Sequence, residues 1–320
     1  MLKTIKYKAI AFILAMIMPI ISFGCYSNGL KSRTENLNAP SVNFLSVGQG
    51  DCTFIIFPDG KTMLIDCGER SDENIATISA YVDSVGGSID FLVLSHTDSD
   101  HTGCAAEIIR KYGVKRAYIP KINDLSAYTS FAAAISALDE CNAEKVVSVA
   151  GVRYIAENYF FCFLYPNEYG YDDVNYDDPT ANNVNETSSV LYVDYQGVKF
   201  VFTGDATKDA LMEITEDGLS GLYYAFGTED FRITLSETDF LKVPHHGGAE
   251  EICEDFYDFL NPKNAVISVG ANNNYGHPSV YTLIALNETV GDLNILRTDV
   301  LGSISVVIND GEYKIITDAD

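Results

Sequence analysis

The residues His96-Thr97-Asp98-Ser99-Asp100-His101 crowd two imidazoles and two carboxylates into one short stretch. These groups are the usual nitrogen and oxygen donors for zinc, manganese or iron, and two carboxylates so close together favour a cation between them. In extended chain His96 and Asp98 can point the same way, while Asp100 and His101, at the turn into a helix, can face a second position. That arrangement suits two metals a few ångströms apart. A competing reading makes Asp98 or Asp100 a helix cap with exposed histidines beside it. It would leave the remaining histidine-bearing loops as a coincidence.

Those loops supply the rest of a site. Val201-Phe202-Thr203-Gly204-Asp205 ends an apolar strand on a carboxylate suited to bridging two metals, and Leu241-Lys242-Val243-Pro244-His245-His246-Gly247 ends another on two imidazoles. All five histidines, His96, His101, His245, His246 and His277, are expected in such loops and none on a helix face.

The elements that must hold these loops alternate between strand and helix patterns. Strands are expected at Val42–Val47, Cys52–Phe57, Thr62–Ile65, Phe91–Ser95 and Ala117–Ile119, with helices at Asp72–Val85, Thr102–Tyr112 and Leu125–Leu138. Strands near Val146, Val152 and Phe160–Leu164 lead into a second half with similar grammar. There a hairpin, Val190–Tyr195 and Lys199–Thr203, runs into Asp205 as Thr62–Ile65 runs into Asp66. Helices at Lys208–Ile214, Glu251–Phe259 and Val280–Leu286 then alternate with strands at Phe240–Val243 and Ala265–Val269. Asn294–Arg297, Ser303–Ile308 and Tyr313–Thr317 close the chain as strands. Two strand-rich halves with interleaved helices imply an α/β (α+β) domain over 41–320, with two mixed sheets packed together and helices outside. Pro166–Ser188, with Asp172, Asp173, Asp177 and Asp178, has no period and reads as a solvated insertion.

His96-x-Asp98-x-Asp100-His101 resembles the HxHxDH signature of the metallo-β-lactamase fold, with Asp98 replacing the second histidine. Val47-Gly48-Gln49-Gly50-Asp51, Thr203-Gly204-Asp205, His245-His246-Gly247 and Asn274-Tyr275-Gly276-His277-Pro278 accompany it, and in this order they resemble the soluble hydrolase domain of ComEC competence proteins. The resemblance spans about 42–310 and implies a metallo-β-lactamase-like αββα sandwich and a metal-dependent hydrolase, many of whose relatives cut phosphodiesters. It implies two divalent ions, with zinc expected and manganese the alternative. His96 and Asp98 would hold the first ion, Asp100 and His101 the second, and Asp205 would bridge them. His246 aligns with the last ligand, and His245 then lines the pocket, an order the sequence leaves open. A histidine expected before the bridging aspartate is missing; Asn185 stands about there and leaves the first ion short of a ligand. Asp66 would orient a ligating histidine, Gly48 and Gly50 would let backbone approach the metals, and His277 would contact a phosphate or donate a proton. Asp100 or Asp205 would orient the attacking water, activated by the metal. The same HxDxDH pattern also resembles phosphorylcholine esterases, so that ester class stays open, as does a cell-surface binding module with a degenerate site.

Composition limits the substrate. With 21 basic against 45 acidic residues the formal charge is −24, which excludes a broad basic face for gripping nucleic acid. Lys3, Lys6 and Lys8 followed by an apolar run to Phe23 describe a signal peptide over 1–25, before a polar linker over 26–40. The chain is therefore expected to be secreted or extracytoplasmic, without an integral membrane domain, and Cys25 offers an alternative point of lipid attachment. Removing the leader takes three lysines and no acids, so the remaining charge is −27. An acidic shell of that size disfavours long nucleic acid and favours small or short phosphoesters. Seven cysteines without CxxC pairs read as buried small apolar residues, with Cys104 set apart by its closeness to the histidine motif.

Overall fold

The computed structural model describes residues 39–122, 125–167, 182–220, 233 and 235–319. The leader, nearly all of the linker and the four aspartates of the insertion lie outside that range. The first part of the chain runs β1 (Ser41–Phe44), β2 (Thr53–Ile56), β3 (Thr62–Ile65), α1 (Asp72–Ser84), β4 (Phe91–Val93), α2 (Ser99–Thr102), α3 (Ala105–Tyr112), β5 (Arg116–Ile119), α4 (Thr129–Glu140) and β6 (Glu144–Val147). It continues through β7 (Arg153–Ile155), β8 (Tyr159–Tyr165), a 3₁₀ turn at Asn182–Thr187, β9 (Val190–Tyr195), β10 (Val198–Phe202), α5 (Lys208–Ser220) and β11 (Phe240–Lys242). A 3₁₀ turn at Pro244–Gly247, α6 (Glu254–Leu260), β12 (Asn264–Ile267), α7 (Val280–Val290), β13 (Ile295–Arg297), α8 (Thr298–Leu301), β14 (Ile304–Asn309) and β15 (Glu312–Thr317) follow.

These strands form two mixed sheets, ordered β15-β14-β1-β2-β3-β4-β5-β6 and β13-β12-β11-β10-β9-β8-β7. From β3 to β6, and from β10 to β13, neighbouring strands run parallel. The expected two-sheet sandwich with outer helices is the architecture found. Its central strands are buried on both faces, so they read as continuous apolar runs rather than as alternation. In β2, Phe54 faces the helix-side core while Ile55 faces the core between the sheets; in β9, Tyr192 and Val193 divide in the same way. Phe57 stacks on Tyr159 of the other sheet at 3.9 Å, and the Tyr195 hydroxyl donates to the Ile56 carbonyl at 2.8 Å. Such aromatic pairs add about 1 kcal/mol beyond the area they bury.

The local signals act as the sequence indicates. Gln196 and Gly197 both take positive φ (54° and 86°), the conformation a two-residue hairpin turn requires. Ser71 caps α1 by accepting from the Asn74 amide, with Asp72 and Glu73 in the first turn. The helix expected from Thr102 differs: it starts three residues earlier, as α2, and breaks at Gly103-Cys104 before α3. Gly103 packs so tightly that a Cβ there would lie 2.3 Å from the Arg70 amide nitrogen. His101 consequently sits in a helical turn, which corrects the expectation that all histidines fall in loops. Among the described residues no helix is long and apolar enough to cross a membrane.

Candidate metal centre

Both sheets end on the same rim, where side chains leave the carboxyl ends of their strands. Asp66 follows β3, Ser95 and His96 follow β4, Asp205 follows β10, His245 and His246 follow β11, and Ser268 follows β12. Open α/β sheets present ligand sites at such strand ends. Three of these side chains sit on strained backbone: Asp66, His245 and His246 have φ of 55°, 47° and 53°. Non-glycine residues in that region cost on the order of 1 kcal/mol or more and persist where neighbours fix them. Here Gly248 N donates to the His245 carbonyl at 2.8 Å, and His246 Nδ1 donates to the Ser268 carbonyl at 2.9 Å.

One potential ligand atom each from Asp100, His101, Asp205 and His246 lies within 4.8 Å of the others. His101 Nε2 is 3.2 Å from Asp205 Oδ1; His246 Nε2 is 3.1 Å from Asp100 Oδ2 and 3.6 Å from Asp205 Oδ2. Donor atoms about 2.1 Å from a shared tetrahedral ion stand about 3.4 Å apart, so this set has the separation a single cation imposes. The remaining predicted ligands gather beside it at wider spacing. His96 Nε2 is 3.7 Å from Asp98 Oδ2 and 4.0 Å from Asp205 Oδ2, and His245 Nε2 is 3.8 Å from Asp205 Oδ2. His96 Nε2, His101 Nε2 and Asp205 Oδ1 are buried without a hydrogen-bond partner. Orphaned acceptors and imidazole nitrogens turned toward one space fit a divalent cation.

Supporting contacts fix the His101 tautomer. Asp66 accepts from the Ser95 amide at 2.8 Å, the Ser95 hydroxyl at 2.7 Å and His101 Nδ1 at 2.8 Å. His245 Nδ1 stands 2.8 Å from Glu251 Oε1, an ion-pair distance without hydrogen-bond geometry, so that contact favours charge on His245 and fixes no tautomer. Asp98 occupies the position before α2 but makes no side-chain cap hydrogen bond, so the capping alternative is not realised by that residue.

Burial and mutual charge set the protonation of these groups. Burial opposes a charge on His101, but Asp205 and Asp66 outweigh it and hold its pKa well above the ordinary histidine value. Burial likewise opposes a charge on His246, and Asp205, Asp100 and Asp51 raise it to about 10. Asp205 is held well below the carboxylate range: burial pushes the other way, and His101 and His246 prevail. Burial and the neighbouring His101 charge push His96 down to about 4, and burial beside Asp100 raises Asp98 to about 6. His277 is lowered by burial and by His245 and His246, which keeps it neutral at pH 7. Its ring centre stands 5.3 Å from that of His245 and 6.3 Å from that of His246.

Asn185 is buried with Oδ1 unpartnered, on a turn wedged between the two halves of the site. Just after that turn the Ser188 hydroxyl accepts from the Asp205 amide, and the Ser189 amide donates to the Ser95 carbonyl. Gly50 makes the close approach expected of it, since a Cβ would lie 2.3 Å from the Asp100 carbonyl oxygen. Gly48 does not: space beside it is open, and its requirement is its φ of 75°. Cys104 is buried and its thiol donates to the Glu69 carbonyl at 3.2 Å, a packing role.

Two buried charges had no assigned role in the sequence reading. Asp51 and Lys242 form an ion pair beneath the cluster, 8% and 3% exposed. Lys242 Nζ also donates to the Gly204 carbonyl at 2.9 Å and stands 3.9 Å from Asp205 Oδ1. Leaving either ion buried alone costs on the order of several kcal/mol, so each is held by the other. Asp51, Asp66 and His101 would themselves form a three-ligand group, but the Lys242 ammonium already neutralises Asp51.

The model of the metallo-beta-lactamase superfamily matches residues 45–136. Over 281 residues the chain is 27% identical to ComE operon protein 3 of Bacillus subtilis, covering 82% of this chain and 32% of that protein. Over 254 residues it is 25% identical to Recombination protein 2 of Haemophilus influenzae, covering 76% of this chain and 26% of that protein. The chain thus spans about a third or less of the length of these relatives. Among solved structures, CmlA, a diiron beta-hydroxylase from Streptomyces venezuelae, aligns at a TM-score of 0.53 and 14% identity, over 84% of this chain and 54% of that one. At that identity the likeness concerns the fold alone. The superfamily match, the two mixed sheets with outer helices and the His/Asp cluster on their common rim show that this chain carries the metallo-beta-lactamase fold.

Proposed function

We propose that this chain is an exported metal-dependent hydrolase of small or short phosphodiesters. The observation that carries the reading is the gathering of Asp100, His101, Asp205 and His246 within 4.8 Å. Those four residues hold one divalent cation in this reading; His96, Asp98 and Asp205, with His245 beside them, hold a second, zinc or manganese in each case. Divalent cations bound there supply Lewis acidity to a phosphoryl oxygen and acidify water. Asp66 keeps His101 in the tautomer that presents Nε2 to the cluster. Asp100, partly open to solvent, accepts a proton from the attacking water and orients it. Neutral His277 offers a hydrogen bond to the substrate's phosphoryl oxygen or leaving oxygen. Export rests on the 1–25 leader, cleaved or lipid-attached at Cys25, ahead of the 26–40 linker and the 41–320 catalytic domain.

The test is hydrolysis of bis(p-nitrophenyl) phosphate by zinc- or manganese-loaded protein. Asp100→Ala or His101→Ala is expected to abolish it, and full activity in either after stripping and reloading sinks the assignment. A second reading, a phosphorylcholine-type ester as substrate, gains support from Tyr275. This ring is 72% exposed and 5.9 Å from His277, a face suited to a quaternary ammonium. A panel of single-stranded DNA, a phosphorylcholine ester and a lactone separates these classes, and a purified chain that takes up no metal would point to a binding module.

A further inference from the structure

Lys242 is a lysine buried in the middle of a parallel run of strands. Phe240, two residues earlier on the same face of β11, packs in the core between the sheets. Lys242 therefore leaves that core at the rim and crosses to Asp51, which belongs to the first sheet's β1–β2 loop. Asp51 is itself tied into the metal loop: its amide donates to the Asp100 carbonyl at 3.1 Å, and its carbonyl accepts from Gly68 N at 2.8 Å. Asp51 Oδ1 also lies 3.5 Å from His246 Nδ1. On the other side the Lys242 ammonium holds the Gly204 carbonyl and faces Asp205 Oδ1. The Thr203 hydroxyl, one residue before that turn, donates to the Lys242 carbonyl at 2.7 Å. One ammonium thus touches the turn that carries the shared carboxylate and, through Asp51, the loop whose backbone holds the Asp100 carbonyl.

We propose that Lys242 is a positioning residue, a built-in cation that ties Asp51 of one sheet to the Gly204-Asp205 turn of the other and assembles the metal-binding set before the metal arrives. The proposal rests on the reading of the cluster as a divalent-cation site. It gives the ammonium a role that no ligand has: it neutralises Asp51 from behind while leaving Asp205 Oδ2 free toward His96, His245 and His246. Removing it lets the Asp205 turn relax away from the loop of Asp100.

The experiment uses the full chain, stripped of metal, as wild type, Lys242→Met and the double variant Asp51→Asn/Lys242→Met. Methionine keeps most of the volume, and the double variant removes the unpaired carboxylate where the single one does not fold. Zinc affinity is read by competition with a chromogenic chelator, and site geometry by the visible spectrum of the cobalt(II) form. The expected result is about a tenfold or larger loss of zinc affinity with a changed cobalt spectrum, in the range of substitutions that support metal ligands. A folded variant with wild-type affinity and spectrum overturns the proposal. Wild-type protein that binds neither zinc nor cobalt removes instead the metal-site reading beneath it.

Discussion

Asp66 Oδ2 accepts from His101 Nδ1 at 2.8 Å, and the other face of the same imidazole stands 3.2 Å from Asp205. The carboxylate thus decides which nitrogen is free to serve as a ligand. Asp66→Asn removes the charge and weakens the tautomer preference while the fold keeps its shape. Metal affinity, measured by competition, should drop about 10- to 100-fold, as for other residues that hold a ligating histidine. Unchanged affinity would mean that His101 is oriented by its packing alone.

Protons that replace a cation make stability depend on pH in a definite direction. His246 is raised from the ordinary 6.5 to about 10 in the metal-free fold. A raised histidine pKa gives stability that is fully present below about pH 6.5 and lost as pH rises through about 10. The metal-free protein should therefore melt at progressively lower temperature from pH 7 to 10. Zinc displaces that proton, so its apparent affinity should rise over the same window, by up to tenfold per pH unit for each proton displaced. Melting curves of stripped and loaded protein across this range check both signs; a metal-free melting temperature that rises with pH contradicts the assignment.

The close approach at Gly50 gives a stability test at a residue with no side chain of its own, packed directly on the backbone of Asp100. Its φ is 145°, and a Cβ would meet the Asp100 carbonyl oxygen at 2.3 Å. The atom it would meet is backbone, with no flexible side chain to yield. Gly50→Ala should cost about 3 kcal/mol or more and displace Asp100. Denaturant unfolding of the metal-free protein measures it, with Gly48→Ala as the companion. Beside Gly48 the space is open, so only its backbone conformation is penalised, and the smaller loss should be about 1 kcal/mol.

Much of this site was legible because its residues announce themselves in short runs. His96 to His101 sit together between an apolar strand and a helical stretch, and Asp205 and His246 each follow a largely apolar strand interrupted by one lysine, Lys199 and Lys242 respectively. The two-sheet architecture followed from strands buried on both faces. Lys242 and Asp51 were not legible, since their partnership joins the end of a strand in one sheet to a loop of the other, far apart in the chain. The signal for Lys242 was present as a lone cation inside the buried run Phe240-Leu241-Lys242-Val243, but a charged residue near a strand end reads as solvated until its neighbours are known. The early start of α2 was missed because Ser99 and Asp100 carry no apolar periodicity; tertiary packing at Gly103 sets where that helix breaks.

Asn185 offers a test of the first metal position by gain rather than loss. Its side chain is buried and its Oδ1 has no hydrogen-bond partner, on a turn that leads into Ser188 and Ser189, which bond to the Asp205 amide and the Ser95 carbonyl. Histidine is larger than asparagine but places a nitrogen in a comparable direction, and imidazole is a far stronger ligand than a carboxamide for zinc. With Asn185 in place, the set around Asp100, His101, Asp205 and His246 should fill first, and the set around His96 and Asp98 should fill weakly. Wild-type protein dialysed against trace zinc should therefore retain about one ion per chain, and Asn185→His about two, the stoichiometry of two-metal hydrolytic sites. Elemental analysis by mass spectrometry gives the ratio directly. Two ions already present in wild type would mean that His245, 3.8 Å from Asp205, makes up for the missing histidine, and His245→Ala would then return the count to about one.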